Sequence, residues 1–272
     1  MADGSVVGAA SLKGKVSDEE WSARVDLAAL YRLVAVHGWD DMIYTHISAR
    51  VPGPDHHFLI NPYGLWFGEI TASSLVKVDL EGAVLQETPY RINQAGFTIH
   101  SAVHMSREDA HFVMHLHTDH GAAVAAQKEG LLPLTQHALI VLPRLTYHDY
   151  EGVAVDLGER ERLVKDLGPD STLMILRNHG TLALGSTAGE CWNGMWYLER
   201  ACKMQVMALS AGRDNVLMSP APARRTMSNQ AAAPLRAITA ATKNARRYCP
   251  VQSMSAPVAI GPIMPARLPI AF

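Results

Sequence analysis

Apolar residues recur every three to four positions in several stretches of the chain, which is the spacing of one helix face. Near the start, Ser17-Asp18-Glu19-Glu20 has the form of a helix-capping box. The apolar positions after it predict a helix to about His37, ended by Gly38. Thr187 is a suitable N-cap for a long final helix. The same spacing predicts helices at residues 93–106, 121–127, 158–166 and 188–209.

Short runs of apolar and β-branched residues, bounded by turn-forming residues, predict strands between these helices. Phe112-Val113-Met114 is typical of a buried strand, and Leu80-Glu81-Gly82 predicts a turn between two strands. Further strands are predicted at residues 45–51, 57–61, 76–79, 83–86, 138–142, 144–147 and 172–176. The sequence therefore alternates helices with short strands, and no internal repeat is visible.

The composition changes near both ends of the chain. Residues 1–16 are rich in Gly, Ala and Ser, so we expect a disordered N-terminus followed by one domain at residues 17–212. Residues 213–272 contain eight of the 15 prolines, and their eight Lys and Arg against the single acid Asp214 give a charge of +7. The first 212 residues therefore carry −9. We expect a basic, Pro- and Ala-rich tail with irregular structure.

Overall composition excludes several classes of protein. The 272 residues are 48% hydrophobic and 18% charged, which suits a well-buried core. A net charge of −2 gives no reason to expect nucleic-acid binding. Three widely spaced cysteines do not form a disulfide framework, and neither a secretory signal nor a bilayer-length apolar run is present. We expect a cytoplasmic protein without membrane insertion.

Three histidines are the strongest candidates for chemistry. His115 and His117 flank Leu116 at the end of an apolar run, and alternate residues of a strand point to the same face. His179 follows another strand-like run and precedes Gly180, which lets the backbone turn close to a site. Three imidazoles suit zinc, iron, manganese or cobalt in an open site. A single His-x-His in a chain with 13 histidines is more often without metal, so the context is decisive.

The sequence around these histidines resembles the class II aldolase/adducin family. The resemblance rests on Val113 to Thr118, Gly121 to Val124 and Leu176 to Gly180, and it covers about residues 20–212. Further matching segments are Tyr44 to Arg50, Ile60 to Gly64, Asn93 to Phe97 and Ala138 to Gly152. It implies an α/β fold: a single three-layer α/β/α domain with a central, mainly antiparallel sheet. It also implies that His115, His117 and His179 hold one divalent metal ion, with zinc first and manganese or iron as alternatives.

One departure from the family pattern changes the expected reaction. The sugar-phosphate aldolases of the family have a Ser-Ser-Glu segment that binds phosphate and supplies the general base. Those positions correspond here to Gln94, Ala95 and Gly96. Glycine offers no titratable group, and a general base must reach the proton that it removes. We therefore expect phosphorylated sugars to be poor substrates.

Another group must then act as the catalytic acid or base. His120, His46 and His148 are the candidates, although each has a structural alternative such as holding a turn. His100 is a fourth, but its position in a helical pattern favours a packed core histidine. The matching motifs lead us to expect substrate contacts from four residues, namely Asn61, Gly64, Gln94 and Asn178.

Three functions remain open at this point. The first, which we favour, is a metal-dependent carbon–carbon lyase that acts on a small oxygenated substrate by aldol cleavage or decarboxylation through a metal-stabilised enolate. The second is a non-haem iron oxygenase at the same three histidines. The third is an adducin-like cytoskeletal or interaction module without catalysis. The Trp- and Met-rich final helix, together with the assembly of the relatives, predicts a homo-oligomer, specifically a tetramer.

Overall fold

A seven-stranded sheet runs through the centre of the computed structural model, which describes residues 11–152, 158–216 and 218–232. Its strands are β1 (His46–Arg50), β2 (Phe58–Ile60), β3 (Val76–Val78), β4 (Phe112–Leu116), β5 (Leu145–His148), β6 (Leu173–Leu176) and β7 (Gly180–Gly185). They lie in the order β3-β2-β1-β4-β7-β6-β5. Among these strands only β5 and β6 pair in parallel, so the mainly antiparallel sheet is confirmed.

Helices cover both faces of the sheet. They are α1 (Asp18–Val36), α2 (Gln94–Ser106), α3 (Asp119–Ala125), α4 (Gln136–Val141), α5 (Glu159–Leu167), α6 (Ala188–Ser210) and α7 (Pro220–Ala232), with two short 3-10 helices at Phe67–Glu69 and Leu142–Arg144. One face packs against α1, α3, α4 and α6, and the other packs against α2 and α5. Alternate residues of β4 serve the two faces, since Met114 packs toward α6 and Val113 toward α2. This is the expected three-layer arrangement.

Two predicted strands are wrong. Residues 138–142 belong mainly to helix α4, whose N-cap Thr135 accepts a hydrogen bond from the Ala138 amide at 3.2 Å. A short apolar run does not distinguish a strand from a buried helix, and here the cap decides. Residues 83–86 form only an isolated bridge between Val78 and Val84, because the Gln86 side chain bonds the buried Arg24 and the Leu75 carbonyl instead.

Two further elements were not predicted. Strand β7 is the partner of both β4 and β6, and its short apolar run between two glycines gave little signal. Helix α7 corrects the expectation of an irregular tail, since it begins at Pro220, and proline is well tolerated in the first turn of a helix. Residues 1–10 and 233–272 lie outside the described residues, so the expectations for them remain predictions.

The topology determines where a site can form. Strands β1, β4 and β7 are central neighbours, and the carboxyl end of β4 lies beside the start of β7. The β6–β7 turn, residues 177–179, therefore reaches the end of β4, as the pairing of Leu116 with Thr181 requires. Among the described residues, no helix combines the length and apolar character that crossing a membrane would need.

Candidate functional site

The three predicted metal ligands meet at the end of β4. His115 is the second-last residue of the buried strand, His117 follows directly after the strand, and His179 arrives from the β6–β7 turn. The centroids of the three rings lie 4.7–4.9 Å from one another. One ring nitrogen from each residue can be chosen so that all three lie within 4.8 Å. The predicted convergence of His115, His117 and His179 is therefore present.

Contacts behind two of the rings determine which nitrogen faces the centre. The Nδ1 atom of His115 lies 3.0 Å from the Thr181 carbonyl, and that of His117 lies 2.9 Å from a carboxylate oxygen of Asp41. A carbonyl and a carboxylate can only accept, so both Nδ1 atoms donate. When both rings are neutral, the form that binds metal, the two Nε2 atoms carry lone pairs, and they lie 3.1 Å apart. A cation between them removes this repulsion.

Electrostatics also favours the ligand form of the histidines. Burial, together with the neighbouring histidines, lowers the pKa of His115 well below its usual value. Burial and then His117 lower the pKa of His179 to about 4. A neutral imidazole is the form that binds metal, and the donor set of three nitrogens without sulfur suits a divalent transition ion. The residues present therefore fit the metal that the family resemblance implies.

The turn that carries His179 depends on local backbone geometry. Asn178 has φ +55°, a left-handed conformation that asparagine tolerates better than most residues. At Gly180 a Cβ atom would lie 2.5 Å from the Leu116 carbonyl oxygen and 3.0 Å from the His117 ring. Glycine is therefore needed where the turn passes against β4. The sequence Asn-His-Gly contains both requirements.

A cavity of about 480 Å³ opens beside the three histidines. Its wall includes three tyrosines, Tyr44, Tyr63 and Tyr150, of which none was singled out by the sequence. Of the predicted substrate-binding residues, Asn178 lines the cavity. Its volume falls within the range of small-molecule sites. The arrangement can hold a small ligand in contact with a bound ion.

His46 lies on the floor of this cavity. It is opposite His115 in the pairing of β1 with β4 and is 5% exposed. Neither of its ring nitrogens has a hydrogen-bond partner among the described residues. Burial, and then the nearby His117, lowers the pKa of His46 to about 3, so the ring is neutral at pH 7. Of the three predicted catalytic histidines, this is the one that the structure brings to the cavity.

The packing of His46 accounts for the glycine at the usual glutamate position. A Cβ atom built at Gly96 would lie 2.4 Å from the His46 ring, far inside van der Waals contact. A side chain at position 96 and the present orientation of His46 exclude each other. The imidazole therefore occupies the space where the family's acidic side chain would begin.

The structure places His120 elsewhere. It lines a second cavity, of about 470 Å³, together with Trp39, Trp196 and Arg200. Its Nδ1 atom donates to the buried carboxylate of Glu199 at 2.7 Å. The helix turn after Thr118 directs this side chain toward α6, away from the ligand cluster. A role for His120 beside the three ligands is therefore not supported by its position.

His148 is also engaged outside the main cavity. It is buried at the end of β5, its Nδ1 atom donates to Asp166 at 2.7 Å, and its Nε2 atom lies 3.7 Å from Glu159. These two carboxylates of α5 make it a structural link between helix and sheet. His100 is fully buried and bonds Ser48 Oγ at 2.6 Å, as expected for a core histidine.

The other three residues expected to bind substrate, Asn61, Gly64 and Gln94, are not placed in the cavity wall among the described residues. Asn61 is buried, and its Oδ1 atom lies 2.9 Å from the Tyr31 hydroxyl, so it stabilises the core rather than the cavity. Gly64 has φ +100° and forms a turn outside the cavity wall. The side chain of Gln94 lies outside the described part of the chain. The sequence did not reveal the contact of Asp41 with His117, because it spans 76 positions.

Comparisons with known proteins identify the family to which the chain is similar. A family model described as "Class II Aldolase and Adducin N-terminal domain" matches residues 25–206. A Caulobacter vibrioides protein named "Putative aldolase class 2 protein" is 73% identical over 230 residues, which is 85% of this chain and 89% of that protein. Rat alpha-adducin (Rattus norvegicus) is 47% identical over 202 residues, which is 72% of this chain but only 27% of alpha-adducin.

A solved structure extends the similarity to three dimensions. The crystal structure of an aldolase II superfamily protein from Pseudomonas syringae has a TM-score of 0.84 and 46% sequence identity. The match covers 90% of this chain and 99% of that one. The fold is therefore shared along nearly the whole length of the solved protein.

Proposed function

Because this chain belongs to the class II aldolase and adducin family, we propose that it is a metal-dependent carbon–carbon lyase acting on a small hydroxycarbonyl compound. The reaction would be aldol cleavage or decarboxylation. The observation that carries the proposal is the pair of facing Nε2 lone pairs of His115 and His117, 3.1 Å apart, with His179 completing the cluster. Zinc is the ion we expect, with manganese or iron as alternatives.

A divalent ion held by His115, His117 and His179 would supply Lewis-acid chemistry, since it polarises a carbonyl and eases removal of the neighbouring proton or carboxylate. His46 is the proton acceptor that we propose. Its ring lines the cavity, is neutral at pH 7, and has no competing partner among the described residues. Negative charge developing on the substrate beside the ring would stabilise its protonated form. Asp41 holds the His117 ring in its orientation.

The similarity to alpha-adducin supports a second candidate, an interaction module without catalysis. In that case the histidine cluster would have no catalytic purpose. The intact set of three ligands and the open cavity favour an enzyme instead. An iron oxygenase at the same histidines would differ in the metal that supports turnover, so the identity of the active metal separates it from a lyase.

We also propose a homotetramer, although α6 contributes less to this than its sequence suggested. Most of its large apolar residues, such as Trp192 and Met195, pack inside the chain's own core. Met207 and Leu209 remain exposed near its end, at 60% and 42%. Light scattering at micromolar concentration tests the assembly, and a mass near 30 kDa would contradict it.

Proton exchange tests the lyase proposal without knowledge of the true substrate. Metal-loaded protein is incubated with dihydroxyacetone, hydroxyacetone, hydroxypyruvate or the aromatic 2-hydroxyacetophenone in D₂O, and loss of the α-proton signal is followed by NMR. We expect exchange with at least one of these compounds, its loss on chelation, and a strong reduction in His46→Ala. His111→Ala is the matched control, because that histidine is exposed just before β4 and lies outside the cavity. Metal-loaded protein that exchanges none of them would contradict the proposal.

A further inference from the structure

The cavity beside the histidine cluster is aromatic and lacks fixed positive charge. Among its described lining residues there is no Lys or Arg. Phosphate and carboxylate groups are normally held by such cations, often by two hydrogen bonds from one arginine. A charged substrate group would therefore lose its hydration in this cavity without gaining a cationic partner from the described chain.

The arginines that neighbour cavity residues along the chain do not line the cavity. Arg177 precedes the cavity residue Asn178, but its guanidinium lies 4.3 Å from the centre of the Tyr147 ring and donates to the Gln127 carbonyl at 2.8 Å. Arg91, whose carbonyl accepts a hydrogen bond from the Tyr63 amide at 2.7 Å, is exposed and is not part of the cavity wall. The segment 153–157, which follows the cavity residue Gly152 and lies outside the described residues, contains neither Lys nor Arg in its sequence.

The histidines do not supply the missing charge. Three of the four lining histidines, His115, His117 and His179, are the proposed metal ligands, and a ligating imidazole is neutral. The fourth, His46, is the proposed proton acceptor and must be neutral when substrate binds. Among the described groups lining the cavity, positive charge would thus come from a bound ion alone. That ion would be engaged with the reacting carbonyl, so a distant phosphate would have no cationic partner.

The tyrosines provide a different kind of contact. Tyr44, Tyr63 and Tyr150 line the cavity and are 48%, 42% and 56% exposed. The Tyr150 ring meets the His179 ring edge-on, with centroids 6.3 Å apart, so it lies next to the reacting centre. Tyrosine rings attract flat or carbon-rich faces of a ligand, and such contacts favour aromatic groups.

We infer that the substrate is an uncharged hydroxycarbonyl compound with an aromatic or otherwise carbon-rich face, which packs against Tyr150 while its carbonyl reaches the histidine cluster. This inference rests on the proposed function, because it assumes an ion at His115, His117 and His179. It goes beyond that proposal by naming the class of substrate and by selecting aldol cleavage, since the substrate of a decarboxylation carries a charged carboxylate. A sugar phosphate differs from this class in both charge and surface.

Hydroxamates test the inference, since their two oxygens chelate a metal while the attached group samples the cavity. Calorimetry on the metal-loaded holoprotein compares acetohydroxamate with benzohydroxamate, and glycolohydroxamate with phosphoglycolohydroxamate. We expect benzohydroxamate to bind about 10-fold more tightly than acetohydroxamate, because an aromatic pair of this kind stabilises a complex by about 1 kcal/mol. The added phosphate should not increase affinity.

Variants connect the preference to the tyrosine. Tyr150→Ala should remove most of the benzohydroxamate preference, whereas Tyr150→Phe, which keeps the ring, should retain it. Trp66→Ala is the matched control, because this residue is 47% exposed but does not line the cavity. Metal content is measured for every variant, so that a lost ligand site is not mistaken for a lost stacking surface.

The outcomes separate the two proposals. Tighter binding of phosphoglycolohydroxamate by 10-fold or more, in protein that holds one metal ion, would overturn the inference and leave the lyase proposal intact. An unchanged preference in Tyr150→Ala would also overturn it, and a simultaneous fall in mass by light scattering would assign the tyrosine to a subunit contact. Wild-type protein that holds no metal after reconstitution would refute both.

Discussion

Two adjoining regions of the cavity differ in how closely they follow the family pattern. At the histidine cluster, His115, His117 and His179 lie where the family resemblance implies a metal, and Thr181 and Asp41 contact two of the rings from behind. A few ångströms away, the acidic position of the sugar-phosphate aldolases is Gly96, and the His46 ring fills the space beside it.

The difference shows which constraint acts on each region. Metal ligation requires three nitrogen atoms at one point, so strand pairing and turn geometry leave little freedom. Proton transfer requires only a suitable group within reach, so it can move from one strand or helix to another. A fold can therefore retain its ion site while the acid or base changes, and variants of each region should behave differently.

His115→Ala should have the largest effect. The variant removes the most deeply buried of the three ligands, and two imidazoles bind a divalent ion much more weakly than three. We expect metal affinity to fall by more than about 100-fold, beyond the range seen for supporting residues. Competition with a fluorescent chelator measures this. His111→Ala is the control, because His111 is exposed at the start of β4 and outside the cluster. Equal affinities in the variant and wild type would refute His115 as a ligand.

Gly96→Ala should disturb the second region. The added methyl group would meet the His46 ring at 2.4 Å, and overpacking of this kind lowers the free energy of unfolding by about 1–3 kcal/mol. Urea unfolding measures the change. In a His46→Ala background the same substitution should have almost no effect, because the obstructing ring is gone. Gly68→Ala is the control, since its Cβ has open space. A full penalty in the His46→Ala background would contradict the packing account.

Asp41→Asn should weaken the support of the ligand cluster. An amide at this position retains a carbonyl oxygen but loses the negative charge that strengthens the His117 ligand. Loss of such a supporting contact lowers metal affinity by about 10-fold. The neighbouring Asp40→Asn serves as a control for surface charge. If both variants bound metal as tightly as wild type does, the Asp41–His117 contact would have no part in ligation.

Asn178 variants should give the smallest effect. Its φ of +55° is unstrained for glycine, so Asn178→Gly should preserve the turn and the metal content. Asn178→Ala should lower the free energy of unfolding by about 1 kcal/mol, since alanine disfavours this conformation. Chemical unfolding of the two variants in parallel tests the difference. Glycine and alanine variants of equal stability would show that the backbone conformation of this turn is not limiting.

The sequence predicted the parts of this molecule that depend on local spacing. The alternation of His115 with Leu116 and the turn-forming pair around His179 are visible in a few residues, and they located the ligand cluster. The helix at 136–141 was mistaken for a strand because a short apolar run carries no periodicity.

Long-range contacts could not be predicted in this way. The hydrogen bond of Asp41 with His117 depends on the conformation of a loop in which Met42 and Thr45 both have positive φ. No local sequence pattern predicts that conformation. The orientation of His120 toward Glu199 likewise depends on where α6 packs against α3. The steric conflict between a side chain at position 96 and the His46 ring involves a helix and a strand whose residues are 50 positions apart in the sequence.

The most direct test of the central claim is the X-ray absorption spectrum of the wild-type protein at the edge of its bound metal, combined with elemental analysis. We predict one divalent ion per chain, with three imidazole nitrogens at about 2.0–2.1 Å and the remaining positions filled by oxygen. A reconstituted protein that holds less than about a tenth of an ion per chain, or an ion without imidazole ligands, would contradict the assignment of His115, His117 and His179 as a metal site.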